Sequence, residues 1–247
     1  MMRNISRLSL PALVLALVLA TLVRANTISA VTSSRTNMST PTASYYDPSK
    51  LTIKSSGSNI DKCWVKFDLA NLAKGGIADY LIGGLRNSDI VIDTAVISLY
   101  LLDPTAARTF DISYLKDTTT ENINWVGSKT DPLGLTWNNA PGNDTTSASA
   151  LLASKAVLIQ NCSVPATDGY RVQVDVKSFI ADDSDGIVQF VLHNSSGQVD
   201  IAAHAVSATY NPPSLPPALE ITYHVVPEPA TLAVLALGGL LLRRRMA

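Results

Sequence analysis

Seven consecutive residues, Cys63-Trp64-Val65-Lys66-Phe67-Asp68-Leu69, carry the pattern that most limits what this chain can fold into. Successive side chains of a strand point to opposite faces, so Cys63, Val65, Phe67 and Leu69 share one face and Trp64, Lys66 and Asp68 the other. The rule recurs downstream: Val172, Val174 and Val176 oppose Arg171, Gln173 and Asp175, and Leu219, Ile221 and Tyr223 oppose Glu220, Thr222 and His224. Further strands are expected at Lys50–Lys54, Val91–Leu102, Thr109–Leu115, Ala156–Ile159, Ile187–His193 and Gln198–Ala203, with Gly, Pro and Asn between them. Helical signal is confined to Val176–Ala181 and Ser147–Ala153. Many short strands without a helical layer predict an all-β fold, a jelly-roll β-sandwich of about nine strands.

The two ends follow different rules. Met1–Arg7 is basic, the following residues to Val23 are apolar, and Val23-Arg24-Ala25 is a small-x-small cleavage pattern, so residues 1–25 read as a signal peptide with a signal helix. Ala230–Leu242 is apolar except for Thr231, shorter than the roughly 20 residues of a comfortable span, and is followed by Arg243, Arg244 and Arg245. Such a cluster stays on the cytoplasmic side of a membrane, which leaves the body outside and makes the tail a short hydrophobic helix. The expected division is a signal peptide at 1–25, a Ser/Thr-rich leader at 26–43 that is flexible or forms an edge strand, a domain at 44–224, and a sorting segment at 225–247.

Pro227-Glu228-Pro229, the apolar run and the arginine cluster, paired with the N-terminal signal, resemble a PEP-CTERM sorting signal. That resemblance implies a Gram-negative bacterium that makes exopolysaccharide, transient anchoring in the inner membrane, and cleavage near the triplet by an exosortase. The expected destination is the cell envelope, outer surface or extracellular matrix. The body has a second resemblance. Lys66-Phe67-Asp68-Leu69, then Thr136-Trp137-Asn138-Asn139-Ala140-Pro141, then Val174-Asp175-Val176 are similar to the DNRLRE domain, a jelly roll related to carbohydrate-binding modules, over about Ser44–Tyr223. Tyr80–Asp89 stands as an insertion in that pattern. The resemblance implies a non-catalytic role with exopolysaccharide or a cell-surface glycan as partner; a purely structural matrix protein is the alternative, and a polysaccharide-degrading enzyme the minority reading.

The chain as a whole has 19 basic and 20 acidic residues, but six arginines lie in the terminal segments against one glutamate, so the exported body is net acidic. No basic patch for nucleic acid is expected. Outward Asp68, Asp175 and Glu220 are the carboxylates that glycoside hydrolysis would draw on. There is no nucleophile elbow, phosphate loop or dinucleotide fingerprint, so no catalytic residue is assigned.

A glycan reader needs an exposed aromatic against which the C–H face of a sugar can stack. Trp64 and Lys66 point away from the core, and Tyr100 is out of phase with Ala95, Ile97, Leu99 and Leu101. If their strands are neighbours, Trp64, Lys66 and Tyr100 form a platform; otherwise the 80–89 insertion or the 26–43 leader covers Trp64. Trp137 and Trp125 read as packing residues. Cys63 and Cys162 are either two buried thiols or, in an oxidising compartment, a disulfide closing a loop of about 100 residues. Asp182, Asp183 and Asp185 before Gly186 could hold a hard cation such as Ca²⁺, the one cofactor considered. His193, His204 and His224 are isolated, with no partner at zinc-ligand spacing.

Overall fold

The computed structural model describes residues 23–30, 32–45, 50–57, 59–102, 104–117, 124–128, 130–181, 183–203 and 215–226. The signal helix expected within residues 1–25, apart from its last three residues, and the tail from Pro227 onward lie outside these. Asp182, Tyr46, His204 and Tyr210 do also. No helix among the described residues is long and apolar enough to cross a membrane.

The described chain is all-β. Its strands are β1 (Arg24–Ser29), β2 (Thr32–Asn37), β3 (Lys50–Ile53), β4 (Asp61–Asp68), β5 (Leu81–Ile82), β6 (Leu85–Arg86), β7 (Ile90–Leu102), β8 (Arg108–Leu115), β9 (Ala156–Val164), β10 (Arg171–Asp175), β11 (Ile187–His193), β12 (Val199–Ala202) and β13 (Ala218–Val225). One sheet runs β1-β13-β7-β12-β3, with β10 also paired to β7. A second runs β2-β4-β11-β8-β9, and β5-β6 is a separate hairpin. The strand pairings are antiparallel.

The two large sheets share one core. Ile97, Leu99, Val174 and Ile221 come from the first, and Cys63, Val65, Phe67 and Phe190 from the second. Phe67 and Phe190 meet edge-to-face with ring centroids 6.0 Å apart. Every strand read from the sequence is present within a few residues of its expected ends, and in β10 and β13 the alternation is also that of burial: β13 runs buried at Leu219, Ile221 and Tyr223 and partly exposed at Glu220, Thr222 and His224. Near Val176–Ala181 a single helical turn, α1 (Lys177–Ile180), forms, with the Asp175 carboxylate accepting from the Lys177 N–H at 2.9 Å. Ser147–Ala153 is not helical; its turns close on the Ser147 hydroxyl oxygen, which accepts from the Ala150 N–H at 2.9 Å.

Two readings left open by the sequence are resolved. Residues 26–43 are not a flexible leader: β1 and β2 are edge strands, one on each large sheet. Ile28 enters the core fully buried, and in β2 Ser33, Ser34, Thr36 and Asn37 are buried. A strand covered on both faces has no reason to alternate, which is why β2 carries no periodic signal; β1 is mostly exposed and buries only Ile28. Nor can Cys63 and Cys162 be bridged. Both are free and face the core, but they sit on β4 and β9 with β11 and β8 between them. Three inter-strand spacings put them about 14 Å apart, against a limit near 7 Å between the Cα atoms of a disulfide. The Cys63 thiol instead donates to the Thr52 carbonyl at 3.0 Å. Burial pushes the Cys63 thiol up, and that of Cys162 up to about 11.

Candidate functional site

Alternation assigns β4, β8 and β11 one face toward water, yet all three are buried along nearly their whole length. The segment between β8 and β9 folds back over them. Trp64, Leu115 and Val191 from the sheet pack with Trp125, Leu135 and Ala140 from that cover into a second apolar cluster. The polar side chains beneath bind the cover's backbone. Trp64 Nε1–H donates to the Pro141 carbonyl at 3.0 Å. Lys66 Nζ donates to the Trp125 carbonyl at 2.8 Å and lies 4.9 Å from that indole's centroid. Trp125 Nε1–H in turn donates to Gln189 Oε1 at 2.6 Å.

Lys62, fully buried, donates to Asn143 Oδ1 (2.8 Å) and to the carbonyls of Ser147 (3.0 Å) and Ala150 (2.6 Å), 4.6 Å from the Trp137 centroid. Burial lowers its ammonium to about 8. His193, expected on an exposed face, is buried with Nδ1 2.7 Å from the Ser149 carbonyl and Nε2 2.9 Å from the Ser113 hydroxyl. Within the cover, Thr136 and Asn139 exchange two backbone-to-side-chain bonds that close the turn ahead of Pro141.

The platform of Trp64, Lys66 and Tyr100 therefore does not form. Trp64 and Lys66 lie under the cover of the second sheet, while Tyr100 lies on β7 in the first. The covering segment is neither the 80–89 insertion nor the 26–43 leader. Tyr80 turns inward instead, its hydroxyl donating to Asp183 Oδ2 at 3.1 Å.

The face that remains open is the outer side of the first sheet. Cross-strand register sets Tyr100 opposite Arg171, Ser98 opposite both Gln173 and Ala218, and Val96 opposite Asp175 and Glu220. The Arg171 guanidinium lies 5.9 Å from the Tyr100 centroid, donates to Ser98 Oγ at 2.8 Å and pairs with Glu220. Thr94 and Thr222 share a hydroxyl bond of 2.7 Å, and His224 Nδ1 is 2.9 Å from Asp93. The result is one half-exposed phenol ring held beside a row of donors and acceptors, with Gln173 and Asp175 exposed. Arg171, Glu220 and Gln173 were legible as outward residues; that β7 lies between β10 and β13 and gathers them around Tyr100 was not, since alternation says nothing about which strands are neighbours.

The remaining expected sites are distributed as follows. Asp183 and Asp185 lie close together, and Asp117, not singled out from sequence, joins them: one ligand atom from each falls within 4.8 Å of the others. Burial raises the Asp183 carboxyl to about 7 and also raises Asp185, with neighbouring carboxylates adding to both. Among the catalytic carboxylates considered, Asp68 closes the turn after β4 by accepting from the Ala70 and Asn71 N–H groups. Asp175 accepts from the Lys177 N–H at the start of α1, and Glu220 is taken up by Arg171. Asp68 thus stands on a different sheet from the other two. Compared with protein-family models and with curated proteins, the chain finds no match.

Proposed function

We propose that this protein is an exported jelly-roll domain, sorted to the cell envelope or extracellular matrix by its C-terminal signal, whose open sheet face binds neutral glycan without catalysis. The observation that carries the binding assignment is the arrangement around Tyr100, a half-exposed ring braced by Arg171 with Ser98, Glu220 and Gln173 beside it. A braced ring stacks on a sugar at little entropic cost, the exposed Gln173 amide selects orientation, and buried Ser98 serves to hold Arg171 and Glu220 in place. Jelly-roll topology is supported by the pairing orders β3-β12-β7-β10 and β4-β11-β8-β9, eight strands shared equally between two antiparallel sheets. The sorting assignment, with an exosortase as partner and transient inner-membrane anchoring, is supported by Pro227-Glu228-Pro229, the apolar run and Arg243–Arg245. A purely structural role is favoured by one specific observation: all three tryptophans are buried, which leaves any stacking to tyrosines such as Tyr100 and Tyr170.

Retention of the full chain, kept in mild detergent, in gels containing neutral or acidic polysaccharides separates these readings. Binding predicts slowed migration in at least one neutral polymer, lost in Tyr100→Ala with an unchanged melting temperature. Because the body is net acidic, alginate-like polyanions should retain it less unless a divalent cation bridges them. Unimpeded migration across the panel would leave the structural role standing. Mass spectrometry of the protein from its own cells checks sorting, which predicts loss of both terminal segments; an intact tail in the mature protein contradicts it.

A further inference from the structure

We propose that Asp117, Asp183 and Asp185 form a binding site for a hard divalent cation of the calcium class, tying the segment after β8 to the turn before β11. The site lies apart from the Tyr100 face and does not depend on the glycan reading.

The local chain builds the three carboxylates into one place from two directions. Asp117 follows the end of β8, and its Oδ2 accepts from the Ser184 N–H at 2.8 Å and the Ser184 hydroxyl at 2.5 Å. That contact draws Asp117 against the turn that carries the other two. Within the turn, Asp185 Oδ1 accepts from the Ile187 N–H at 2.8 Å, and Asp183 Oδ2 accepts from the Gly186 N–H at 2.9 Å and from the Tyr80 hydroxyl. Gly186 has a φ of +81°, a conformation that side chains resist, so the turn is fixed in the form that presents both carboxylates. Each carboxylate is thereby held by one oxygen.

The second oxygen of Asp183 is the informative one. Asp183 is 2% exposed, and its Oδ1 is buried with no hydrogen-bond partner. A buried acceptor left unmet costs about 1–3 kcal/mol, and more when charged. No ion pair among the described residues involves these three carboxylates. Two basic side chains of the adjoining segments are engaged elsewhere: Lys116 Nζ donates to the Ala153 carbonyl, and Arg86 donates to the Ala181 carbonyl. Three acids drawn together with no cation among them, one of them buried and unmet, have the form of a site whose positive charge comes from outside the chain.

The donor set selects the class of ion. With oxygen ligands alone and neither His nor Cys, the site favours hard cations over zinc or copper. Ca²⁺ accepts several carboxylates in flexible geometry, whereas Mg²⁺ keeps several waters and is usually held by one or two carboxylates. The three offered oxygens all lie within 4.8 Å of one another, close enough for a single ion to be reached from all three. A cleft of about 450 Å³, lined by Tyr114, Lys116, Asp117, Val157, Ser178 and Phe179, opens beside Asp117 and provides an approach from solvent.

Calorimetric titration of the EDTA-stripped full chain in detergent with CaCl₂, with melting curves against MgCl₂ at equal ionic strength, tests the site. The expected result is one ion per chain with a dissociation constant of about 10⁻⁵–10⁻³ M. Calcium at a hundredfold excess over that constant should raise the melting temperature by roughly 5 °C or more, and magnesium by less. Because Asp183→Asn would also disturb Tyr80 and Gly186, the diagnostic variants are Asp117→Asn and Asp185→Asn. Each should weaken calcium binding at least about tenfold while melting in EDTA no lower than the wild type. Absence of heat and of a calcium-dependent shift in the folded wild type overturns the proposal. So does a shift that both variants retain, or stabilisation obtained by acidification alone with no response to calcium.

Discussion

Trp64 and Tyr100 separate what alternation can tell from what it cannot. Both point away from the main core, but Trp64 is fully buried with its N–H on the Pro141 carbonyl, while Tyr100 stays half-exposed beside Arg171. Trp64→Ala should therefore cost about 3–5 kcal/mol in chemical denaturation, the range for emptying a packed aromatic site. Tyr100→Ala should cost less than about 1 kcal/mol, as for other surface changes. Equal costs would mean that the two faces have been assigned wrongly. Lys62 makes a related case. Lys62→Met keeps the volume but leaves Asn143 Oδ1 and the Ser147 and Ala150 carbonyls without a donor, a loss of roughly 3 kcal/mol on removing a buried charged partner. A variant as stable as the wild type would show that the cover is held by its apolar contacts alone.

At the scale of elements, the cover over the second sheet and the edge strands are where expectation and structure part. The cover is pinned in part through His193. With Ser149 offering a carbonyl, Nδ1 must carry the proton and Nε2 accepts from the Ser113 hydroxyl, so the neutral ring is fully satisfied. Burial holds its protonation below the ordinary value of 6.5, while Asp111 and the Ser149 bond act the other way and Lys62 adds to the lowering. The unfolded chain thus takes up a proton near pH 6.5 that the folded chain refuses, so the His193 contribution to stability falls as pH drops below that value, while Asp183, raised to about 7, contributes in the opposite direction over the same range. Between about pH 7 and 5 the melting temperature of His193→Gln relative to the wild type should rise as pH falls; two curves that stay parallel assign the effect elsewhere. Hydrogen exchange should find amides of β1 and β2 protected on the timescale of the central strands, whereas exchange within seconds would restore a flexible leader.

The nine strands read from the sequence are there because each has one face on the core and periodicity reports that directly. β1 and β2 were missed as firm strands because their Ser and Thr side chains alternate in burial but not in hydropathy, or are covered on both sides. The cover over Trp64 was unreadable for a different reason: polar residues at Lys62, Lys66 and His193 look solvated in sequence, and only the tertiary structure shows loop carbonyls taking the place of water. Asp117 was invisible to spacing because about 65 residues separate it from its neighbours in the acidic cluster.

For the whole molecule, one sheet face is sealed and the other is open, and this asymmetry decides where a ligand can sit. The two cysteines fit the same picture of a core that needs no cross-link: both thiols should react with a thiol reagent only after denaturation, and the intact mass should match the fully reduced chain. Reaction of either thiol in the folded protein, or a mass lower by two hydrogens, would contradict the separation of β4 from β9. The most direct test of the sealed face is quenching of tryptophan fluorescence by iodide in the folded chain. Trp64, Trp125 and Trp137 are each no more than 1% exposed, so emission should be blue-shifted and nearly unquenched until the protein unfolds. Strong quenching in the native state would mean that the cover is open, that Trp64 faces solvent, and that the binding face has been placed on the wrong sheet.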